Sequence, residues 1–89
     1  MNKYYKDLSN YIESFVIPYL LAHEIIYLHK NNCLDISFLR LTNKIKKVIN
    51  ITNINYSKIK HITYNILLTK YNYKITNYYP IKLSYVIKQ

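Results

Sequence analysis

The chain contains no glycine in 89 residues. Every turn or helix end that needs a positive φ must therefore fall on another residue, and asparagine is the most tolerant substitute. The asparagine clusters at Asn31-Asn32, in Ile51 to Asn55 and at Asn77 thus serve as punctuation marks. The missing glycine also removes the phosphate-binding loop, the dinucleotide-binding fingerprint and the glycine-framed serine elbow, so the main nucleotide and hydrolase motifs are excluded together.

Between these marks the apolar spacing resolves into elements. Residues 7–30 read as a helix, or a helix pair, with Ile12, Phe15, Val16, Tyr19, Leu20, His23, Ile26 and Tyr27 at the 3.6-residue period. Pro18 lacks a backbone donor and disfavours helix at Ile17, which predicts a kink or a second helix starting near it. Leu21, Ile25 and Leu28 widen the stripe beyond one domain face, and with Phe15 and Tyr19 they are the expected dimer interface.

Leu34 to Ile36 is expected to be a very short strand, and Ser37 to cap a helix over 38–50. Its inner stripe is Phe38, Leu41, Ile45, Val48 and Ile49, and its outer face carries Arg40, Asn43, Lys44, Lys46 and Lys47. After Ile51-Thr52-Asn53-Ile54-Asn55, a third helix over 56–70 is expected, capped by Asn55 or Ser57, with Ile59, Ile62, Ile66 and Leu67 inward. From Tyr71 the period drops to two, and the alternating runs on either side of Thr76 to Pro80 predict a β-hairpin over 71–88.

Charge separates along the chain. Ile, Lys, Tyr and Asn make up 50 of 89 residues, all read from AT-rich codons, so the net charge of +9 is weak by itself. Its distribution says more, because Asp and Glu also have AT-rich codons. All four acids, Asp7, Glu13, Glu24 and Asp35, lie within the first 35 residues, whereas Ile36 to Gln89 holds ten Lys or Arg and no acid. Such a block repels itself unless it faces a polyanion, so nucleic acid is the leading expected partner and an anionic membrane surface the second.

The order of helix, short strand, helix, tight connection, helix and hairpin resembles the winged helix-turn-helix fold, an α+β, mainly helical architecture of three or four helices with a carboxy-terminal hairpin wing. The resemblance covers about residues 17–88 of what reads as one domain over 1–89. It departs from the family where many such turns use glycine and this chain has Ile51 to Asn55.

The resemblance implies that 56–70 lies in the major groove of double-stranded DNA and that the wing touches the backbone. The expected DNA-binding residues are then Ser57, Lys58, Lys60, His61, Tyr64 and Asn65 on the reading helix, with Arg40, Lys44 and Lys47 flanking and Lys74 and Lys82 on the wing. Lys88 and the tyrosines Tyr78 and Tyr79 at the hairpin tip are further expected contacts.

Other chemistries find little support. His23-Glu24 opens like a zinc-protease motif, but Tyr27 stands where the second histidine belongs, and His29 lies about 120° around the helix. Cys33 is the sole cysteine, so neither an intrachain disulfide nor a cysteine-rich metal site is expected. No enzyme activity and no cofactor are expected.

The apolar run Phe15 to Ala22 is eight residues long, short of a membrane span, so a cytoplasmic protein is expected, in the host cytoplasm if viral. The expected function is that of a homodimeric transcription regulator, its AT-rich coding and small size suiting a virus or mobile element. The alternatives are an interaction module that binds an acidic surface of a host protein, and an RNA-binding protein that stacks bases on its tyrosines.

Overall fold

The computed structural model describes residues 3–33, 36–51, 53–75 and 86–88. Within them the chain is mainly helical. The elements are α1 (Lys3–Tyr11), a π-helical turn (Ile12–Val16), α2 (Ile17–Lys30), α3 (Phe38–Ile49), α4 (Tyr56–Tyr71), β1 (Tyr73–Ile75) and β2 (Val86–Lys88).

Residues Lys3 to Lys30 form one unbroken helical run. At 1.5 Å per residue it spans about 42 Å, matching the 42 Å long axis of the molecule. Pro18 does not break it. Instead the turn ahead of the proline widens, and the Ile17 amide bonds to the Ile12 carbonyl, five residues back. This gives room to a proline ring that clashes with a carbonyl four residues earlier in a regular helix. Pro18 itself sits in the first turn of α2, where its missing N–H costs least.

By length and composition Asp7–Lys30 is a candidate membrane-crossing helix, 24 residues long with an 18-residue stretch of mean hydropathy 1.2. The eight-residue apolar run alone did not suggest this. In the folded chain one face of that helix, Ile17, Leu21, Ala22 and Ile25, is fully buried against α4 and α3.

The core joins these four residues to Phe38, Leu41, Ile59, Ile66, Leu67 and Tyr73. Two buried polar side chains sit among them. Thr42 and Thr63 turn their hydroxyls back onto the Phe38 and Ile59 carbonyls, at 2.8 and 2.7 Å, so neither is left unsatisfied in the core.

The helix ends follow the expected chemistry. The Ser37 Oγ accepts the Arg40 amide at 3.0 Å, and the Asn55 Oδ1 accepts the Lys58 amide at 3.1 Å, so Asn55 rather than Ser57 caps α4. The described residues with positive φ are Asn32, Asn50 and Asn72, at 55°, 56° and 58°, one after each of α2, α3 and α4. With no glycine to use, the chain ends its helices on asparagine.

Several expected boundaries and faces move. Tyr71 is the last residue of α4, not the first of the hairpin, because Asn72 takes the left-handed conformation one residue later. The strands are three residues each and pair antiparallel, Tyr73 with Lys88, Lys74 with Ile87 and Ile75 with Val86. Tyr73 is buried and Lys74 exposed, as the alternation requires. The expected turn at Thr76 to Pro80 lies outside the described residues, as do Leu34 and Asp35. Ser37 makes an isolated β-bridge.

On α3, Val48 is 76 % exposed rather than inward. It sits in the last turn, and Thr42 takes up core space instead. On α4, Ile62 is only partly buried, whereas Thr63 and Leu67 are fully enclosed.

Two ring pairs fasten the end of α4 and the start of β1 to α2. His23 stands edge-on to Tyr71 with Nε2 3.3 Å from its hydroxyl, and His29 edge-on to Tyr73 with Nδ1 3.4 Å from its hydroxyl. Next to them Lys70 donates to the Tyr19 hydroxyl and lies 4.8 Å from its ring centre. That hydrogen bond, with the charge of the same phenol behind it, raises the Lys70 ammonium above its ordinary value.

Candidate nucleic-acid interface

Because Ile59, Thr63, Ile66 and Leu67 face the core, the opposite side of α4 is set by helical geometry. Ser57, His61, Asn65 and Leu68 are exposed there, with Tyr64 partly buried beside them. They border an open groove of about 520 Å³ whose described lining also includes Tyr56 and Lys60. The expected residues Ser57, Lys60, His61, Tyr64 and Asn65 are thus brought to one surface.

Tyr64 forms part of the floor. Phe38 meets Tyr56 and Tyr64 edge-on, with ring centres 5.7 and 5.3 Å apart. The Lys60 ammonium lies 6.0 Å from the Tyr56 ring centre and 5.8 Å from that of Tyr64, a geometry in which the ring faces attract the cation. Burial pushes the Tyr64 phenol up to about 12, the nearby Tyr56 phenol adding to the effect. Burial raises Tyr56 as well. Both hydroxyls therefore stay protonated at physiological pH and remain donors.

Lys58 departs from expectation. Its segment holds no acid, but Glu13, 45 residues earlier, supplies one. The Lys58 ammonium lies 3.6 Å from the Glu13 carboxylate and donates to Asn10 Oδ1 at 2.7 Å. The other Glu13 oxygen accepts the Asn55 amide at 3.2 Å. A carboxylate from the π-helical turn thus closes the amino-terminal end of α4, where helix-end amides and the macrodipole favour an anion. Lys58 leaves the outward stripe because its counter-charge is Glu13 in the π turn and its amide acceptor Asn10 on α1.

Replacing Glu13 with alanine is expected to lower the unfolding free energy by about 1 kcal/mol, since the partly exposed Lys58 loses its counter-charge and the Asn55 amide its acceptor. The freed ammonium should make the log–log salt slope of duplex binding steeper by about one. Urea melts and salt titrations of the variant check both effects, and an unchanged midpoint with an unchanged slope would show that Glu13 holds neither group.

The flanking cations fall on a separate row. Arg40, Lys44 and Lys47 are exposed along α3, at spacings of four and three that keep them on one side. Lys47 also lines a second groove of about 420 Å³, with Asn43, Lys46, Asn50 and Ile51. Lys74 is exposed on β1, and Lys82, Tyr78 and Tyr79 lie outside the described residues.

The expected dimer interface is only partly available. Leu21 and Ile25 are fully buried within the single chain, and Leu28 packs against the same core. They cannot also cover a partner, because α4 has already taken the face they form. Tyr19 is partly buried beneath Lys70. Phe15 remains, 50 % exposed, and is joined by Tyr11 and Leu8.

Tyr11, Phe15 and Tyr19 form a ladder of rings with centres 5.4 and 4.8 Å apart. Tyr11 and Leu8 were not singled out in the sequence, although both lie on the continuation of the Phe15 stripe. Comparison with protein-family models, curated proteins and solved structures finds no match to this chain.

Proposed function

We propose that the chain is a small sequence-specific double-stranded-DNA-binding protein, a transcription regulator built as a winged helix-turn-helix. In this reading α3 and α4 are the helix-turn-helix, α4 is the reading helix, and β1 with β2 is the base of the wing. The carrying observation is the exposed face of α4. It offers polar side chains at Ser57, His61 and Asn65, while α3 carries its own row of exposed cations, in a stretch of chain without one acid. The β-bridge at Ser37 between α2 and α3 and the antiparallel pair after α4 support the same topology.

Two copies act together, joined through Leu8, Tyr11 and Phe15. This exposed apolar strip lies on the part of the chain that carries the acids, so a second copy approaches it without setting one basic half against the other. Sedimentation should give a dimer, and Phe15→Glu a monomer of unchanged helicity. A wild-type monomer at tens of micromolar removes this arm.

The function itself is tested by fluorescence-anisotropy titration of duplex DNA across a range of salt. Binding that weakens steeply with salt is the expected result. Capture of an acidic protein from nuclease-treated extract, with no duplex binding, would replace this reading with that of a protein-interaction module.

A further inference from the structure

We infer that the exposed face of α4 selects A·T pairs, with Asn65 reading an adenine and Leu68 resting on the methyl group of an adjacent thymine. This rests on the duplex-binding reading above and adds the base class. A side chain reads a base edge only when its polar end is free. The Lys58 ammonium is held by Asn10 and Glu13, and that of Lys60 lies against Tyr56 and Tyr64. The one arginine, Arg40, is on α3. Guanine is most often recognised through its O6 and N7 by two donors of Arg or Lys, and the Lys that borders this groove, Lys60, stands at its edge with its ammonium drawn to the Tyr56 and Tyr64 rings rather than among Ser57, His61, Asn65 and Leu68.

What remains there is Ser57, His61, Asn65 and Leu68. A hydroxyl serves any base, and an imidazole N–H donates to N7, which both purines carry, so Ser57 and His61 do not discriminate. Asn65 does. Its amide sets one donor beside one acceptor, matching the N7 and N6 amino group of adenine. Guanine would turn O6 toward the amide oxygen, acceptor against acceptor.

Leu68 is 46 % exposed and follows Asn65 by three residues, about one turn, or roughly 5 Å, along the helix. That distance is one to two base-pair steps. An apolar side chain at this place gains from a thymine methyl group. Against cytosine it would cover an amino donor without accepting from it.

The test uses the full chain. Fragments are selected from random duplex DNA, and the selected site is rebuilt with single-atom changes. 7-Deazaadenine replaces N7 with a C–H, and deoxyuridine deletes the thymine methyl. The expected site contains neighbouring A·T pairs.

At one adenine, the deaza base should weaken wild-type binding about 10-fold and leave Asn65→Ala indifferent. At one thymine, deoxyuridine should weaken it a few-fold and leave Leu68→Ala indifferent. Both residues are exposed, so the variants should keep wild-type helicity. A selected core of G·C pairs, or wild-type binding that ignores both analogues, overturns the inference while leaving duplex binding intact. No duplex binding at low salt overturns both.

Discussion

Raising the salt from 50 to 200 mM should weaken duplex binding by about 10³-fold or more, if a dimer neutralises roughly six to ten phosphates. Only some of the cations contribute. Arg40, Lys44, Lys47 and Lys74 are exposed, with no acidic side chain anywhere from Ile36 onward. Lys58 is paired with the Glu13 carboxylate, Lys60 is partly buried against two rings, and Lys70, still charged, is held by Tyr19 on the α2 side of α4, away from the Ser57–His61–Asn65 face.

Lys44→Ala with Lys47→Ala should therefore lower the slope by about two per chain, alike for all sequences, whereas Lys70→Ala should leave it unchanged. Anisotropy titrations at four or five salt concentrations measure these slopes. A flat wild-type line, or a Lys70 variant that loses as much slope as the α3 pair, would refute the assignment of contacts.

Leu67→Ala should destabilise the fold by about 2–5 kcal/mol. Leu67 is fully buried on α4, in the face that packs against α2, and truncation leaves a cavity between helices that cannot easily close. For an 89-residue domain, whose whole stability is expected to be about 4–13 kcal/mol at 0.05–0.15 kcal/mol per residue, the loss is a large fraction.

The urea midpoint should fall with little change in the slope m, at matched protein concentration so that association does not enter. Val48→Ala is the contrast, since Val48 is 76 % exposed and its change should stay within about 0.5 kcal/mol. Equal midpoints for Leu67→Ala and wild type would mean that α2 and α4 do not pack as described.

Local features were legible in the sequence because their causes are local. Ser37 and Asn55 cap helices through side chains acting three residues along, and asparagine ends helices where glycine is missing. The inward set Ile59, Ile66 and Leu67 follows from period alone. What escaped depends on partners far away in the chain. Nothing near Lys58 points to Glu13, and the surplus breadth of the Leu21, Ile25 and Leu28 stripe reads the same whether α4 or a second chain covers it. Spacing shows that a face must be buried, not against what. Tyr56 and Leu68 share the α4 groove but look like ordinary members of an amphipathic pattern. Pro18 announced a disturbance, yet the accommodation it takes depends on what the neighbouring turns can tolerate.

That accommodation governs orientation well beyond the proline. Each residue of a regular helix advances the screw by 100°. The extra residue held in Ile12–Val16 therefore works as a fixed phase offset between the two ends of one long rod. It lets α2 keep Leu21 and Ile25 pointed at α4 while the other end keeps its own azimuth, Glu13 toward Asn55 and the Tyr11–Phe15 edge toward solvent. A chain relaxed to an uninterrupted α-helix would turn one set out of alignment as it kept the other, so the angle between the exposed Leu8–Tyr11–Phe15 strip and α4 is set in that single wide turn.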